Sequence, residues 1–534
     1  MHLSIFRRAL AALALAVLTA LTLPAAGAWA SPGAPSGAGA DPILTIHGGA
    51  VRGVAITGGY AFRGLPYAAP PTGQRRWLAP QPATSWSGIR DATQFAPSCL
   101  QKPNLFEPPG PQSEDCLYLN VSTPTLRRDA KKPVLVWIHG GGFTQDGALN
   151  YDGTKLAANG MVVVTINYRL GALGFLAHPA LASRPGGPAG NYGLMDQQAA
   201  LRWVRDNIAR FGGDPHDVTI AGQSAGGVSV LAQLVSAGAR GLFQRAIVQS
   251  GAFALNQLPL ADAEAFGQAF AAQVNCQAQS AQCLRQVPAG TLVNTFPGAA
   301  IPGVVDGKVL TTSIGTALAA GHFARVPIIN GVNQNEELIF VAGLGLAVSG
   351  GMFVPAPTPT PDTYETVIAS VLGVSAARAS AIAAEYPFSA YPAPFGALST
   401  LLSDANFACP ALQVDRWTSK RVPTFAYEFD DGTAPPLFAG PKFPPVAPHS
   451  SEIQYLFDQP NAPFATSLNA TQESLAAKMR TAWTNFAAIG NPSAAALRWL
   501  SFTARSAVLS LVSPQPQLES NFAQIHHCAF WNVG

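Results

Sequence analysis

Charge is scarce in this chain. Asp, Glu, Lys and Arg make up 11% of its 534 residues, the formal net charge is +3, and no long basic run occurs. No nucleic-acid partner is expected, because binding the phosphate backbone needs clustered cations. No C-x-x-C pair is present, so no zinc site is expected. Beyond the N-terminal segment there is no run of eighteen uninterrupted apolar residues, so no later membrane-spanning helix is expected.

The N-terminal segment reads as an address. Arg7 and Arg8 precede the apolar stretch Ala9 to Leu23, and Ala28-Trp29-Ala30 has the small-x-small form of a cleavage site. Residues 1–30 are expected to be a secretory signal. Residues 31–40, rich in Ser, Pro, Gly and Ala, are expected to be a disordered leader. Residues 41–534 are expected to form a single domain, secreted or periplasmic, with no stable membrane anchor after cleavage. Export gives meaning to the six cysteines, Cys99, Cys116, Cys276, Cys283, Cys409 and Cys528. Six cysteines allow fifteen pairings, and spacing does not choose among them.

Periodicity outlines an α/β fold. Ile43 to Ile56 alternates around Gly48-Gly49 as a short hairpin would. Phe62 to Pro71 is proline-rich and reads as irregular. Val134–Ile138 and Met161–Asn167 are continuous apolar runs, the pattern of strands buried on both faces. Ala246–Ser250 and Pro327–Gly331 are further strand candidates. Gln197 to Phe211 has helical spacing, with Ala200, Leu201, Val204 and Ile208 on one stripe, and stops at Gly212-Gly213. Strands alternating with helices predict a large, mostly parallel sheet covered on both faces. The Ala- and Pro-rich stretches 252–325 and 344–419 are expected to be helical insertions above it.

One stretch carries chemistry. The strand candidate Val218–Ala221 runs into Gly222-Gln223-Ser224-Ala225-Gly226, followed by a small-residue helix ending near Gly238. G-x-S-x-G between strand and helix is a nucleophile elbow, a turn that pushes the serine hydroxyl beyond the sheet. A serine needs an imidazole to take its proton and a carboxylate to orient that imidazole. In this arrangement the chain order is Ser, acid, His. His449 follows a proline-rich loop and precedes a helix, and is the preferred base. His526 and His527, beside Cys528, read as structural members of a terminal helix. His322 precedes the preferred acid and has the wrong order. For the acid, Glu336 follows the strand Pro327–Gly331 and, with Glu337, lies at the sheet edge where Ser224 emerges. Glu337 is its neighbour, and Asp306 reads first as an Asp-Gly turn. The oxyanion formed by attack on an ester needs preorganised N–H donors. Gly140, Gly141 and Gly142 after the strand Val134–Ile138, with Ala225, can supply them. His139 is read as a packing residue that fixes this loop.

Together these segments resemble the type-B carboxylesterase family, which includes cholinesterases and cholesterol esterases. The resemblance extends to Phe62–Pro71, Trp86–Asp91, Ser113–Val121, Trp137–Phe143, Asn191–Gln197 and Phe211–Pro215. It implies an α/β-hydrolase fold and a triad of Ser224, Glu336 and His449. It also implies an oxyanion hole of Gly141, Gly142 and Ala225, and the pairs Cys99–Cys116, Cys276–Cys283 and Cys409–Cys528. No metal or organic cofactor is implied; the expected partner is a small-molecule ester. Where the family usually has Glu before the nucleophile, this chain has Gln223, which removes an anion from the substrate-binding site. The loop between Cys99 and Cys116 holds no Trp, the residue that stacks choline in cholinesterases. A cationic ester gains from an aromatic face and nearby anions, so uncharged esters are expected. Phe296 to Pro302 matches the segment that lines the acyl pocket in cholinesterases and has small residues in place of bulky aromatics, which implies a roomier site. Glu337 stands where the family commonly has Gly. The alternatives are a lipase or sterol esterase acting on long-chain esters, and a non-catalytic cholinesterase-like binding protein. The presence of all three triad residues argues against the last.

Overall fold

The structure is a computed structural model. It describes residues 41–103, 110–182, 189–297, 303–391, 393–436, 446–459, 467–503 and 507–533. The expected signal and leader lie outside these, as do residues 104–109, 298–302 and 437–445 of the segments singled out above.

Eleven strands form the central sheet: β1 (Val54–Ile56), β2 (Gly59–Pro66), β3 (Tyr118–Thr123), β4 (Lys132–Ile138), β5 (Val162–Ile166), β6 (Gly213–Gln223), β7 (Arg245–Gln249), β8 (Ile328–Asn333), β9 (Thr424–Phe429), β10 (Val508–Leu511) and β11 (Gln517–Glu519). Their order across the sheet is 11-10-9-8-7-6-4-5-3-2-1. The middle, from β5 through β10, is parallel, while β1, β2 and β3 on one side and β11 on the other pair antiparallel. This is the mostly parallel α/β-hydrolase sheet expected. The hairpin at Gly48-Gly49 is also present, with Ile43–Ile46 paired to Gly49–Arg52.

The apolar runs feed two cores at once, because alternate side chains of a strand point to opposite faces. Val134, Val136 and Ile138 of β4 join one hydrophobic cluster, Leu135 and Trp137 the other. The first is covered by helices α1 (Tyr192–Asn207) and α2 (Ala225–Val235). The second is covered by α4 (Ala470–Ile489), which contributes Leu475, Met479, Trp483 and Phe486. Helix α3 (Cys409–Thr418) lies between them in sequence and packs on the first face.

Several boundaries differ from expectation. Phe62–Pro66 is not irregular: it belongs to β2, and the register shift between Phe62 and Leu65 absorbs Gly64 as a bulge. Helix α1 begins five residues before the periodic stripe, at Tyr192, and closes through Ile208–Phe211 at Gly212, which has φ +78°. β6 extends past the apolar run at both ends. Both insertions are helical. Residues of the second form their own apolar cluster, including Ile368, Ile382, Leu398 and Leu401.

Register sets the place of the site. Gly222 is level with Ile138, Gln223 with Gln249, and Gln249 with Gly331. The C-terminal ends of β4, β6, β7 and β8 therefore open onto one edge, where ligands bind in such sheets.

Candidate active site

β6 ends at Gln223 and α2 begins at Ala225, so Ser224 alone makes the turn. It has φ +57° and ψ −125°, a sparsely populated conformation that costs about 1–3 kcal/mol and persists only when its surroundings enforce it. The flanking glycines allow that enforcement. A Cβ on Gly226 would lie 2.0 Å from the Ile138 carbonyl oxygen, and one on Gly222 would lie 2.5 Å from the Gly226 backbone. β4, β6 and α2 thus meet backbone to backbone. The Ser224 N–H donates to the Gln249 carbonyl at 2.9 Å. The Ala225 N–H belongs to the first turn of α2, where N–H groups have no intrahelical acceptor and the helix dipole favours negative charge.

The glycine loop leaves β4 at Ile138. Gly141 has φ +84°, and its Cβ position would fall 2.3 Å from the Gln145 carbonyl oxygen. The Gly141 carbonyl accepts the Thr144 and Gln145 N–H groups, both at 3.1 Å. His139 stacks on Tyr168 with ring centroids 4.4 Å apart. The Tyr168 hydroxyl donates to the His139 carbonyl at 2.9 Å. Burial lowers the His139 pKa below the ordinary histidine value, so it sits as a neutral packing group under the loop.

Glu336 and His449 are brought together. Glu336, fully buried, bonds His449 Nδ1 through Oε2, and its Oε1 accepts the Asn333 N–H at 2.7 Å. Their two segments are joined as well: the Asn335 N–H donates to the Ala447 carbonyl at 3.0 Å, and Asn333 Nδ2 donates to the Pro448 carbonyl at 2.8 Å. Phe340 and Phe407 flank the His449 ring at 5.0 and 5.5 Å. His449 Nε2, the other ring nitrogen, lies 3.0 Å from Gln223 Nε2. Expected as a substrate-binding residue beside Ser224, Gln223 is buried against Gly140 and the imidazole. Its carboxamide, and not the Ser224 hydroxyl, occupies His449 Nε2.

Sequence reasoning missed the floor of this site. Glu452, fully buried, accepts Asn333 Nδ2 at 2.7 Å and Gln249 Nε2 at 3.1 Å. Trp483 Nε1 donates to Gln249 Oε1 at 3.1 Å. Burial, then the nearby Glu336, raises the Glu452 carboxyl above the usual range. Its position three residues after His449, at the start of the helix Ile453–Leu456, was the one available signal.

The other candidates lie elsewhere. Asp306 accepts the N–H groups of Lys308, Val309 and Leu310 within its own turn. His526 follows the short helix Phe522–Ile525 and sits between Asp404 (2.6 Å) and Glu428 (2.9 Å). Burial opposes its charging, but these carboxylates push its pKa up to about 10, a structural ion cluster. The cysteines pair as Cys99–Cys116, Cys276–Cys283 and Cys409–Cys528.

Beside the site is a cavity of ≈ 240 Å³, lined by Leu100, Phe296, Phe340, Leu346 and Phe353, with Lys102 and Thr144 among its polar members. Lys102 Nζ donates to the Phe296 carbonyl at 2.8 Å. Phe340 joins the cavity to His449, and Phe296 and Phe353 come from the two helical insertions.

Residues 40–531 match the Carboxylesterase family. Over 483 residues the chain is 36% identical to a cocaine esterase of Oryctolagus cuniculus, covering 85% of this chain and 88% of that one. Over 481 residues it is 36% identical to a fumonisin B1 esterase of Sphingopyxis macrogoltabida, covering 85% and 83%. A solved PNB esterase structure superposes with a TM-score of 0.75 at 31% identity, covering 90% of this chain and 99% of that one.

Proposed function

We propose a serine mechanism for this chain, which belongs to the carboxylesterase family and is a carboxylic ester hydrolase. One observation carries the reading: a buried carboxyl–imidazole pair, Glu336–His449, stands beside the residue that precedes a strained elbow serine. As an ester enters, the Gln223 amide yields His449 Nε2 to the Ser224 hydroxyl. The Ser224 Oγ–H proton passes to Nε2 while Oγ bonds the ester carbon, and Glu336 stabilises the imidazolium. The N–H groups of Gly141, Gly142 and Ala225 hold the oxyanion. On collapse the carbon–alkoxy bond breaks and the Nε2 proton goes to the leaving alcohol. Water then gives a proton to Nε2 and its oxygen to the acyl carbon, releasing the acid and returning the proton to Ser224.

The mostly apolar cavity and the neutral Gln223 support uncharged esters as substrates. Three disulfides support an oxidising compartment, and with it export. The test is hydrolysis of p-nitrophenyl butyrate by Ser224→Ala. Loss of roughly 10⁴-fold or more in kcat is expected, with the folded state checked by circular dichroism. Hydrolysis at the wild-type rate sinks the mechanism.

A further inference from the structure

Glu337 takes no part in the mechanism above, yet it is fully buried next to Glu336. Its carboxyl oxygens accept the Val348 N–H at 3.1 and 3.2 Å and Asn406 Nδ2 at 3.2 Å. Asn406 Nδ2 also donates to the Val348 carbonyl at 2.6 Å. Both main-chain polar groups of Val348 therefore end on the Glu337–Asn406 pair. Val348 lies in a hairpin, Leu346–Ser349 with Met352–Pro355, where it is level with Phe353. The Phe353 ring packs against Phe340 at 5.1 Å, and a Cβ on Gly142 would touch it at 3.1 Å. Leu346 and Phe353 are also cavity wall.

An acidic side chain at full burial is costly unless its hydrogen bonds are used. Burial, opposed by the Val348 and Asn406 donors, pushes the Glu337 carboxyl up to about 8. An apolar residue would avoid that cost, but it would leave the Val348 N–H without an acceptor and the hairpin unanchored at its centre.

We propose that Glu337 is a positioning residue that holds the Val348–Phe353 hairpin against the oxyanion loop and so sets the acyl-chain length the cavity accepts. This rests on the reading that the ester's acyl group occupies the cavity beside His449.

The test is a p-nitrophenyl ester series, acetate, butyrate and octanoate, with Glu337→Ala and Glu337→Gln. Alanine removes the acceptor and glutamine keeps one acceptor oxygen. For Glu337→Ala, the octanoate-to-acetate ratio of KM should change by about fivefold or more, with kcat on acetate kept within about twofold. Glu337→Gln should restore the wild-type ratio. A uniform effect across chain lengths, or identical behaviour of the two variants, overturns the proposal. Should Glu337→Ala fail to fold, Asn406→Ala replaces it, and an unchanged ratio there also overturns the proposal. Ser224→Ala runs in parallel. If it stays active, the site reading falls and takes this inference with it. If it is inactive while the chain-length ratio does not move, only the role of Glu337 falls.

Discussion

Gln223 puts an N–H donor on the imidazole nitrogen that the proposed mechanism needs as a free lone pair. His449 Nδ1 bonds Glu336, and its Nε2 meets the Gln223 amide nitrogen, which has only hydrogens to offer. In the proposed mechanism Ser224 must displace that bond. A neutral hydrogen bond is worth about 1 kcal/mol net, or roughly fivefold in rate. Gln223→Leu keeps the bulk and removes the donor. It is expected to raise the acylation burst with p-nitrophenyl acetate by about fivefold; a slower burst would show that the carboxamide aligns the ring instead. At this scale the turn at Ser224 and the side chains Glu336 and His449 that meet beside it were legible because an elbow motif and strand-end placement are local in sequence. The contact of Gln223 with His449 spans 226 positions, and no spacing announces it. Glu452 escaped for the same reason, since its partners come from β7 and β8.

Among the elements, the elbow depends on close approach more than on propensity. β4 presents its Ile138 carbonyl to Gly226, and any side chain there must push strand and helix apart. Gly226→Ala is therefore expected to lower the urea unfolding free energy by about 3 kcal/mol and to remove esterase activity. Gly290 provides the comparison. It lies exposed in the helix Ala289–Thr295 with open space around its Cβ position, so Gly290→Ala should be neutral or stabilising by up to about 1 kcal/mol. Among the elements read correctly from sequence were the strands buried on both faces, marked by short uninterrupted apolar runs beside glycine or proline. β2 was obscured by its proline and its bulge. Helix α4 was missed although its ends are marked: Asn469 and Gln472 form a capping box, and Gly490 closes it at φ +72°. Its stripe is broken by the polar residues that reach β9's neighbours, among them Arg480, which donates to the Tyr455 carbonyl at 3.1 Å.

Across the whole molecule, covalent links are unequal in reach. Cys276–Cys283 closes a separation of 7 residues and Cys409–Cys528 one of 119. Loop-closure entropy makes the second the larger constraint on the unfolded chain, with about 5 kcal/mol against about 2.5. Replacing Cys409 and Cys528 by Ala should thus move the urea midpoint about twice as far as replacing Cys276 and Cys283; equal shifts would place the stabilisation in native packing. The bonds between the Asn333–Asn335 and Ala447–Pro448 segments carry a consequence of another kind. Glu336 and His449 are fastened into one block, while Ser224 rides on β6, joined to that block by the Gln223 carboxamide and, through Gln249, by Glu452. For a protein engineer, the site is two cassettes joined through residue 223 and through Gln249. Saturating position 223 alone samples how strongly they engage, with neither cassette rebuilt.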